Sequence, residues 1–240
     1  MVQGVFITGT DTGVGKTHVA CMIIRALLNK GIKPGVMKPV ETGCVNSGSG
    51  LLPADAIMLK SASGVKNDIA EIAPYMFELP LSPYAASMQA GRIIEPNRII
   101  EHYEALRMSS SFIVVEGAGG LLVPICSGTA AGIDKSAYFY SDLVRDLQLP
   151  LLIVARPGLG TINHTLLTAR CALDEGLRVV GVVLNRSDDD SRDISEETNR
   201  ILLENICPVP IVASIGYRSG DGVVDENESE KLLSALLSFF

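Results

Sequence analysis

The stretch Gly9-Thr10-Asp11-Thr12-Gly13-Val14-Gly15-Lys16-Thr17 decides the fold of this chain. It follows a short apolar run, residues 2–8, and precedes the helical pattern His18–Asn29. Glycines let backbone N–H groups wrap a phosphate closely, and the start of a helix adds partial positive charge. Lys16 can reach the terminal phosphates, and the hydroxyl of Thr17 can hold Mg²⁺. The stretch therefore predicts a site for a nucleoside triphosphate rather than a glycine-rich turn that only caps a helix.

This loop is a variant of the strict phosphate-loop pattern. That pattern, GxxxxGK[ST], requires a glycine at position 10, where this chain has Thr10, and the first glycine here is Gly9. The Gly-Lys-Thr end of the pattern remains at the predicted strand-to-helix junction, and the prediction of a triphosphate site rests on it.

Short apolar runs alternate with longer segments of helical period along the whole chain. The runs are nearly continuous in Val, Ile and Leu, which is typical of strands buried on both faces of a parallel sheet. This alternation predicts an α/β fold, namely a doubly wound, mostly parallel sheet with helices on both faces. The predicted strands are residues 2–8, 35–39, 112–116, 151–155, 179–184 and 211–213, and helices are expected to begin near Lys16, Ala54, Asn97, Ser136, Ile162, Ile194 and Glu228. Ligands of such folds bind beyond the carboxyl ends of the strands.

Length, composition and charge narrow the class of protein. The chain has 240 residues, 47% of them hydrophobic, which suits one domain over residues 1–240 with a substantial core. Its formal net charge of -7 argues against a general binder of nucleic acid or anionic membranes, so we expect neither as a partner. No apolar run reaches the roughly 20 residues that span a bilayer. The first residues lead directly into the phosphate loop without a basic segment or cleavage site, so we expect a cytoplasmic protein.

Two features concern thiols and loops. The five cysteines are scattered and form no CxxC pair, which indicates reduced thiols rather than disulfides or a zinc site. The stretches Cys44–Pro53 and Cys126–Lys135 are rich in small residues and are predicted to be surface loops.

A charged residue lies near the end of each of two predicted strands. Lys38 follows Gly35-Val36-Met37, where a lysine is costly unless its charge meets an anion. It is a candidate second cation for a transferring phosphoryl group, and the alternative is a lysine that extends its ammonium to solvent. Glu116 follows four apolar residues in the Walker B arrangement, with Glu in place of the usual Asp. It is a candidate metal ligand, and the alternative is an exposed carboxylate at a strand end.

For three further polar positions, the residues alone do not decide the function. Asp55 begins a predicted helix, where it is either a metal ligand or a residue favoured by the helix dipole. Asn185 follows a predicted strand and either binds the adenine edge or is an ordinary strand-to-loop residue. Gly158-Leu159-Gly160-Thr161-Ile162-Asn163-His164 is a second glycine-rich helix start, which suits an anion such as a carboxylate, and we assign no catalysis to its histidine.

Taken together, these motifs resemble the dethiobiotin synthetase family. The segments that carry the resemblance are GTDTGVGKT (Gly9–Thr17), KPVETG (Lys38–Gly43), PYMFELPLSPYAA (Pro74–Ala86), VEGAGG (Val115–Gly120) and LGTINHTLLTA (Leu159–Ala169). The order and spacing of the segments match the family from residue 3 to about residue 186. A phosphate loop alone is widespread, whereas this combination is specific.

The resemblance implies a Mg²⁺- and ATP-dependent ligase of biotin synthesis. In that reaction CO₂ carbamylates one amine of 7,8-diaminopelargonic acid, and the carbamate attacks the γ-phosphate of ATP. The second amine then attacks the mixed anhydride, which releases phosphate and closes the ureido ring. The expected partners are therefore CO₂ and the diamine, and the expected assembly is a homodimer.

The resemblance also implies a role for individual residues. Lys16, Lys38 and Thr12 would take part in catalysis, and Thr17, Asp55 and Glu116 would hold Mg²⁺. The expected nucleotide contacts are Gly13, Val14, Gly15, Lys16, Thr17, His18, Asp55, Glu116, Gly117, Ala118, Gly119, Asn185 and Arg186. Thr42 would contact the diamine, and the substrate's tail carboxylate would bind a helix start of the partner subunit that contains Gly160, Thr161 and Asn163.

The chain departs from the family pattern in three places. Gly13 stands where some members have Glu, and Gly216 stands where the family often has Pro. The stretch Cys126–Tyr140 is longer than the usual link, and it either covers the nucleotide or lies on the surface through Lys135, Tyr138 and Tyr140.

The alternative function is a P-loop switch ATPase of the partitioning type. Such proteins tend to carry a second lysine early in the phosphate loop, where this chain has Thr10-Asp11-Thr12. Residues 226–240 are acidic and then apolar, unlike a basic or amphipathic membrane anchor. A cobyrinate-type amide ligase usually has an additional glutaminase domain, for which 240 residues leave no room. These observations favour the synthetase.

Overall fold

The computed structural model describes residues 3–133, 136–187, 194–216 and 226–240. Its strands are β1 (Gln3–Gly9), β2 (Pro34–Met37), β3 (Val40–Thr42), β4 (Val45–Asn46), β5 (Leu51–Leu52), β6 (Tyr75–Phe77), β7 (Phe112–Gly120), β8 (Pro124–Ser127), β9 (Ala137–Phe139), β10 (Leu151–Ala155), β11 (Val179–Asn185) and β12 (Ile211–Ile215). Its helices are α1 (Lys16–Asn29), α2 (Ala54–Ser63), α3 (Ile69–Ile72), α4 (Pro83–Ala90), α5 (Pro96–Met108), α6 (Gly128–Ala131), α7 (Tyr140–Asp146), α8 (Thr161–Asp174), α9 (Ser195–Ile206) and α10 (Glu226–Leu237).

Six of these strands form one parallel sheet in the order β12-β11-β10-β1-β7-β2. β1 lies inside the sheet, with Phe6 opposite Leu151 of β10 and Val5 opposite Val114 of β7. Later strands are added on both sides of β1, so a crevice forms at the carboxyl ends of the strands beside it. The predicted parallel α/β sheet is confirmed.

Both faces of the sheet are buried, which explains its continuous apolar strands. Val5 and Ile7 belong to the apolar layer that includes residues of α1, α2 and α10. Phe6 points to the opposite face and belongs to the layer that includes residues of α5, α7 and α8. Successive side chains of a strand point to opposite faces, so a strand covered on both sides needs apolar residues at every position.

Most predicted boundaries agree with the structure to within two residues. Strand 151–155 is reproduced, whereas β7 continues four residues beyond Glu116 to Gly120. The predicted helix starts near Lys16, Ala54, Asn97, Ile162, Ile194 and Glu228 correspond to α1, α2, α5, α8, α9 and α10. The prediction near Ser136 is wrong by four residues, because β9 precedes α7, which begins at Tyr140.

The prediction of a surface loop at Cys126–Lys135 is wrong in part. Cys126 is buried in β8, which pairs with β9 in an antiparallel ladder, and the short helix α6 follows. The hydroxyl of Ser127 caps α6 by accepting a hydrogen bond from the N–H of Ala130 at 3.2 Å. Segments of three or four residues show no periodicity, so their Gly, Ala and Thr composition resembled a loop.

The two tyrosines of this stretch are core residues. Tyr138 is buried and donates a hydrogen bond of 2.6 Å to Oδ2 of Asp146. The ring of Tyr140 is buried against Phe6, with 6.0 Å between the ring centroids. Neither tyrosine lies on the surface, which corrects that predicted alternative. The alternative that the stretch covers the nucleotide stays a prediction. Lys135 lies outside the described residues.

The other predicted loop, Cys44–Pro53, is largely exposed and contains the small hairpin of β4 and β5. All five cysteines are free thiols, as predicted. None of the helices in the described segments has both the length and the apolar character needed to cross a bilayer.

Candidate active site

A cavity of about 480 Å³ lies where the phosphate loop after β1 meets Lys38, after β2, and Glu116 of β7. The predicted site residues around it are Thr12, Gly13, Gly15, Lys16, Thr17, Lys38, Thr42, Asp55, Glu116, Ala118 and Gly119. Adjacent parallel strands end at one edge of the sheet, so residues far apart in the chain converge here.

The phosphate loop has the backbone conformation that an anion needs. Gly13 and Gly15 have φ angles of 74° and 87°, in the left-handed region that glycine adopts without strain. Helix α1 begins at Lys16, and no side chain in the described part of the protein caps its start. The N–H groups of its first turn therefore suit phosphate oxygens.

Lys16 is buried beside this loop, and its ammonium donates a hydrogen bond of 3.1 Å to the carbonyl oxygen of Asp11. Burial, followed by repulsion from Lys38, lowers the pKa of Lys16 to about 8. A phosphate would provide the negative charge that this buried cation lacks.

A four-residue polar network forms the floor of the cavity. The Lys38 ammonium lies 2.6 Å from Oε1 of Glu116 and 2.7 Å from Oδ2 of Asp55. The Thr17 hydroxyl lies 3.0 Å from Oδ1 of Asp55 and 2.9 Å from Oε1 of Glu116. Lys38 is 2% exposed, which excludes the alternative of a lysine extended to solvent.

The ionisation of this network follows from burial and charge. Burial alone would lower the pKa of Lys38, but the carboxylates of Glu116 and Asp55 outweigh it and raise the pKa above its ordinary value. Burial would raise the pKa of Asp55, but Lys38 and the hydrogen bonds lower it overall. For Glu116, complete burial dominates and raises the pKa in spite of Lys38. Lys38 is therefore a cation at neutral pH.

The oxygens of this network fit Mg²⁺. Thr17, Asp55 and Glu116 bring a hydroxyl and two carboxylates together, and hard oxygens are the ligands that Mg²⁺ prefers. Oε2 of Glu116 is buried and has no hydrogen-bond partner among the described residues. A buried carboxylate oxygen without a partner is costly unless a cation is bound nearby, so the donor set suits a metal.

Asn185 lies on the other side of the phosphate loop. Its side-chain N–H donates a hydrogen bond of 2.9 Å to the carbonyl of Val14, while its Oδ1 is buried without a partner among the described residues. A Cβ on Gly15 would lie 2.1 Å from Nδ2 of Asn185. Only glycine fits this approach, and the remaining amide oxygen is available to accept a hydrogen bond from a ligand.

A second cavity, of about 680 Å³, continues beyond Asn185. It is lined by Arg186, Pro157, Gly216 and neighbouring residues of β12 and α9. Arg186 forms an ion pair with Glu196 at 3.5 Å. Gly216, one of the departures from the family pattern, thus lies at this cavity, and Tyr217 lies outside the described residues.

The wall opposite the phosphate loop comes from the segment 74–86, for which residue chemistry alone predicted no role. This segment forms β6, which pairs with β3, and it continues into α4. Its residues Pro80–Pro83 line the cavity together with Thr42 and Val123. The lining of the cavity therefore combines the charged groups with the apolar side chains of Pro80, Leu81, Pro83 and Val123.

Several predicted residues do not line the first cavity. Gly160 begins α8 with a φ angle of 89°, and the buried hydroxyl of Thr161 pairs with that of Thr165 at 3.2 Å. Asn163 is exposed. His18 is exposed at the start of α1, and Gly117 is buried. The predicted contact of the α8 start with a partner's substrate stays a prediction.

Two charged residues were missed from the sequence. Glu41 is buried at the cavity, and its carboxylate accepts hydrogen bonds from the N–H groups of Asp55 and Ala56. Arg156, after β10, forms an ion pair of 2.6 Å with Asp11 of the phosphate loop. The first could have been suspected from Pro53, whose side chain cannot cap the helix that follows it; for Arg156 the sequence has no local signal.

Comparisons with known proteins identify the family of the chain. A family model described as "AAA domain" matches residues 3–220. The ATP-dependent dethiobiotin synthetase BioD of Thermodesulfovibrio yellowstonii is 38% identical over 241 residues, which cover 98% of this chain and 100% of that protein. The protein of the same name from Aquifex aeolicus is 43% identical over 200 residues, 83% of each chain.

Solved structures agree on the fold. The cell-division ATPase MinD of Pyrococcus furiosus superposes with a TM-score of 0.59 over 100% of both chains, at 18% identity. MinD of Pyrococcus horikoshii has a TM-score of 0.55, with 100% of this chain and 94% of that chain covered, also at 18% identity. At this identity the likeness concerns the fold alone. The sequence relatives, in contrast, are similar enough over enough of their length that the chain belongs to the ATP-dependent dethiobiotin synthetase family.

Proposed function

We propose that this protein is an ATP-dependent dethiobiotin synthetase that joins CO₂ to both amines of 7,8-diaminopelargonic acid and acts as one domain over residues 1–240. The observation that carries the proposal is the cavity itself. It holds Lys16 and Lys38 beside a phosphate loop, and it adjoins Thr42 and Pro80–Pro83 on the opposite wall. A small substrate and a terminal phosphate therefore have room side by side.

The bond changes require positioned charge rather than a protein nucleophile. An amine nitrogen of the diamine bonds to the carbon of CO₂ and loses a proton, and the carbamate oxygen then bonds to the γ-phosphorus while the bond to ADP breaks. The second amine bonds to the same carbon and loses a proton, the bond from that carbon to the phosphate oxygen breaks, and phosphate leaves as the ring closes. Lys16 and Lys38 lie where negative charge accumulates during phosphoryl transfer, and charge stabilisation is the main catalytic need of that step.

Thr17, Asp55 and Glu116 would hold Mg²⁺ in this proposal. The metal, when bound, would neutralise charge on the phosphate oxygens. The unpartnered Oε2 of Glu116 and the convergence of the three oxygen donors support this assignment. Lys38 would then lie between the metal ligands and the transferring group.

Thr12 would bind the carbamate and the phosphates, Thr42 would contact the diamine, and the second cavity would hold the adenosine. Thr12 lines the cavity at the phosphate loop, and Thr42 lines it from β3. Asn185 keeps its amide oxygen free for the N–H of adenine, and Arg186 lines the neighbouring cavity. Val14, His18, Gly117, Ala118 and Gly119 would complete the nucleotide contacts through their position beside the loop.

A homodimer would complete the substrate site. Leu122 and Leu167 line a groove next to the phosphate loop and are 54% and 60% exposed, and Leu159 nearby in sequence is 84% exposed. Apolar side chains so exposed favour cover by another chain. In the dimer the α8 start, Gly160 to Asn163, would bind the tail carboxylate of the partner's substrate through its N–H groups. A cytoplasmic location suits the free thiols and the requirement for ATP.

The experiment that tests the proposal is incorporation of labelled carbon. The protein is incubated with the diamine, Mg²⁺-ATP and ¹³C-bicarbonate, and the product is analysed by mass spectrometry. The proposal expects dethiobiotin with one ¹³C per ring, and no product when ATP or the diamine is omitted. Absence of a ring product from the complete mixture would reject it.

A further inference from the structure

Helix α2, which carries Asp55, begins without a cap of its own. Its N-cap residue is Pro53, whose side chain has no hydrogen-bond acceptor. The first N–H groups of a helix have no partner within the helix, and buried ones need a partner from elsewhere. In α2 these are the N–H groups of Asp55 and Ala56.

Glu41, in strand β3, caps the start of α2 instead. Its Oε1 accepts a hydrogen bond from Asp55 N at 2.8 Å, and its Oε2 accepts one from Ala56 N at 3.0 Å. Glu41 is 5% exposed and forms no ion pair with a described Lys or Arg residue. Both of its oxygens are therefore engaged by backbone N–H groups at the positive end of α2.

Asp55, the capped residue, is the more exposed of the two carboxylates at the proposed metal site. Thr17 and Glu116 lie at the start of α1 and in the central sheet, whereas Asp55 follows the exposed, glycine- and serine-rich stretch 44–53. The side chain of Asp55 is 37% exposed, against 1% for Glu116. The position of Asp55 thus depends on how the start of α2 is held.

We propose that Glu41 is a positioning residue that fixes Asp55 against Thr17 and Lys38 by capping α2 across the chain. Because Glu41 adjoins Thr42 in β3, the same strand would link the diamine contact to the metal ligand. The inference rests on the proposed function in one respect, namely that Asp55 is a ligand of Mg²⁺. Supporting groups of metal ligands generally change metal affinity by roughly 10–100-fold when they are removed.

The test uses Glu41→Gln, which keeps the size of the side chain but places an NH₂ group against one of the two N–H donors. Amide hydrogen exchange of Asp55 and Ala56 is followed by NMR in the metal-free protein, and Mn²⁺ binding in the presence of ADP is followed by electron paramagnetic resonance. We expect faster exchange at both amides and Mn²⁺ binding weakened about 10-fold. We also expect excess Mg²⁺ to restore turnover.

The matched control is Glu71→Gln. Glu71 also accepts a backbone N–H at a helix start, from Asp68 at 2.7 Å, but it serves α3 and does not line the cavity. Its loss should leave Mn²⁺ affinity unchanged. A second control is the double variant Glu41→Gln/Asp55→Asn: if Glu41 acts through Asp55, its substitution costs no further affinity once Asp55 is neutral.

Three outcomes would overturn the inference. Unchanged exchange at Asp55 and Ala56 would mean that Glu41 is not the cap. Faster exchange with unchanged Mn²⁺ affinity would mean that Glu41 caps α2 but does not position Asp55 for the metal. Equal losses of affinity in the wild-type and Asp55→Asn backgrounds would indicate a general charge effect. Because Mn²⁺ and ADP binding needs no diamine, these results are separate from a failure of the proposed reaction.

Discussion

The ammonium of Lys38 lies 2.6 Å from Oε1 of Glu116, and the two side chains are 3% and 1% exposed. β2 and β7 are neighbours in the sheet, so they bring together two residues that are 78 positions apart. The pair places the proposed second cation of phosphoryl transfer directly against a proposed metal ligand. This contact links the metal site and the phosphoryl site into one buried unit.

Replacement of Lys38 by Met tests this unit. Met keeps much of the volume but leaves the Glu116 carboxylate buried without its cation, which typically costs about 3–5 kcal/mol. We expect that loss in urea unfolding of the metal-free protein at neutral pH. Turnover should fall by about 100-fold or more, because a charge at the transferring group is missing. Turnover within about threefold of the wild type would contradict the role of Lys38.

The metal assignment is tested by Asp55→Asn and Glu116→Gln. Each substitution removes one negative oxygen donor, so we expect the Mg²⁺ concentration for half-maximal turnover to rise about 10-fold or more. The control is Glu104→Gln, because Glu104 is an exposed residue of α5. An unchanged Mg²⁺ curve in both site variants would refute the assignment.

The phosphate loop offers a matched pair of glycine substitutions. Gly13→Ala meets no atom within 4 Å and should cost about 1–2 kcal/mol for its positive φ alone. Gly15→Ala carries the same strain but also collides with Asn185. Calorimetry should therefore find ATP affinity reduced much more by Gly15→Ala. Equal losses in the two variants would mean that the contact with Asn185 does not matter for the nucleotide.

The thiols give a prediction about pH. Burial raises the pKa of Cys21, Cys44 and Cys126 to about 11. The thiolate is the reactive form, and a raised pKa keeps the group protonated at every pH below that value. At pH 8 we expect iodoacetamide to label the partly exposed Cys207 of the native protein well before these three, as mapped by mass spectrometry. Labelling of Cys44 as fast as in urea would show that its surroundings are open.

The site residues that were predicted from the sequence lie in short patterns that can be recognised within one segment. Lys16 and Thr17 lie in a fixed pattern at a strand-to-helix junction, and Glu116 ends a run of four apolar residues. Such residues are placed by the strand that precedes them, so hydrophobic periodicity is enough to locate them. The same periodicity located all six strands of the central sheet.

The part that the sequence did not reveal depends on contacts between distant segments. Glu41 caps a helix that starts 13 positions later, beyond a hairpin. Pro53 indicates that this helix needs a cap from elsewhere, but no pattern in either segment specifies Glu41 as the partner. Tyr140 ends the stretch that is longer than the usual family link, and β8 and β9 are too short to show a period that would predict its packing in the core against Phe6. Asp55 was ambiguous on its own, because an Asp in the first turn of a helix has a sufficient local reason to be there.

The most direct test of the account measures phosphate release from Mg²⁺-ATP and bicarbonate, with and without 7,8-diaminopelargonic acid, together with the amount of dethiobiotin formed. The account predicts release that depends on the diamine and yields one ring product per phosphate. ATP turnover that is independent of the diamine and gives no ring product would contradict it, and would instead be the behaviour of a switch ATPase.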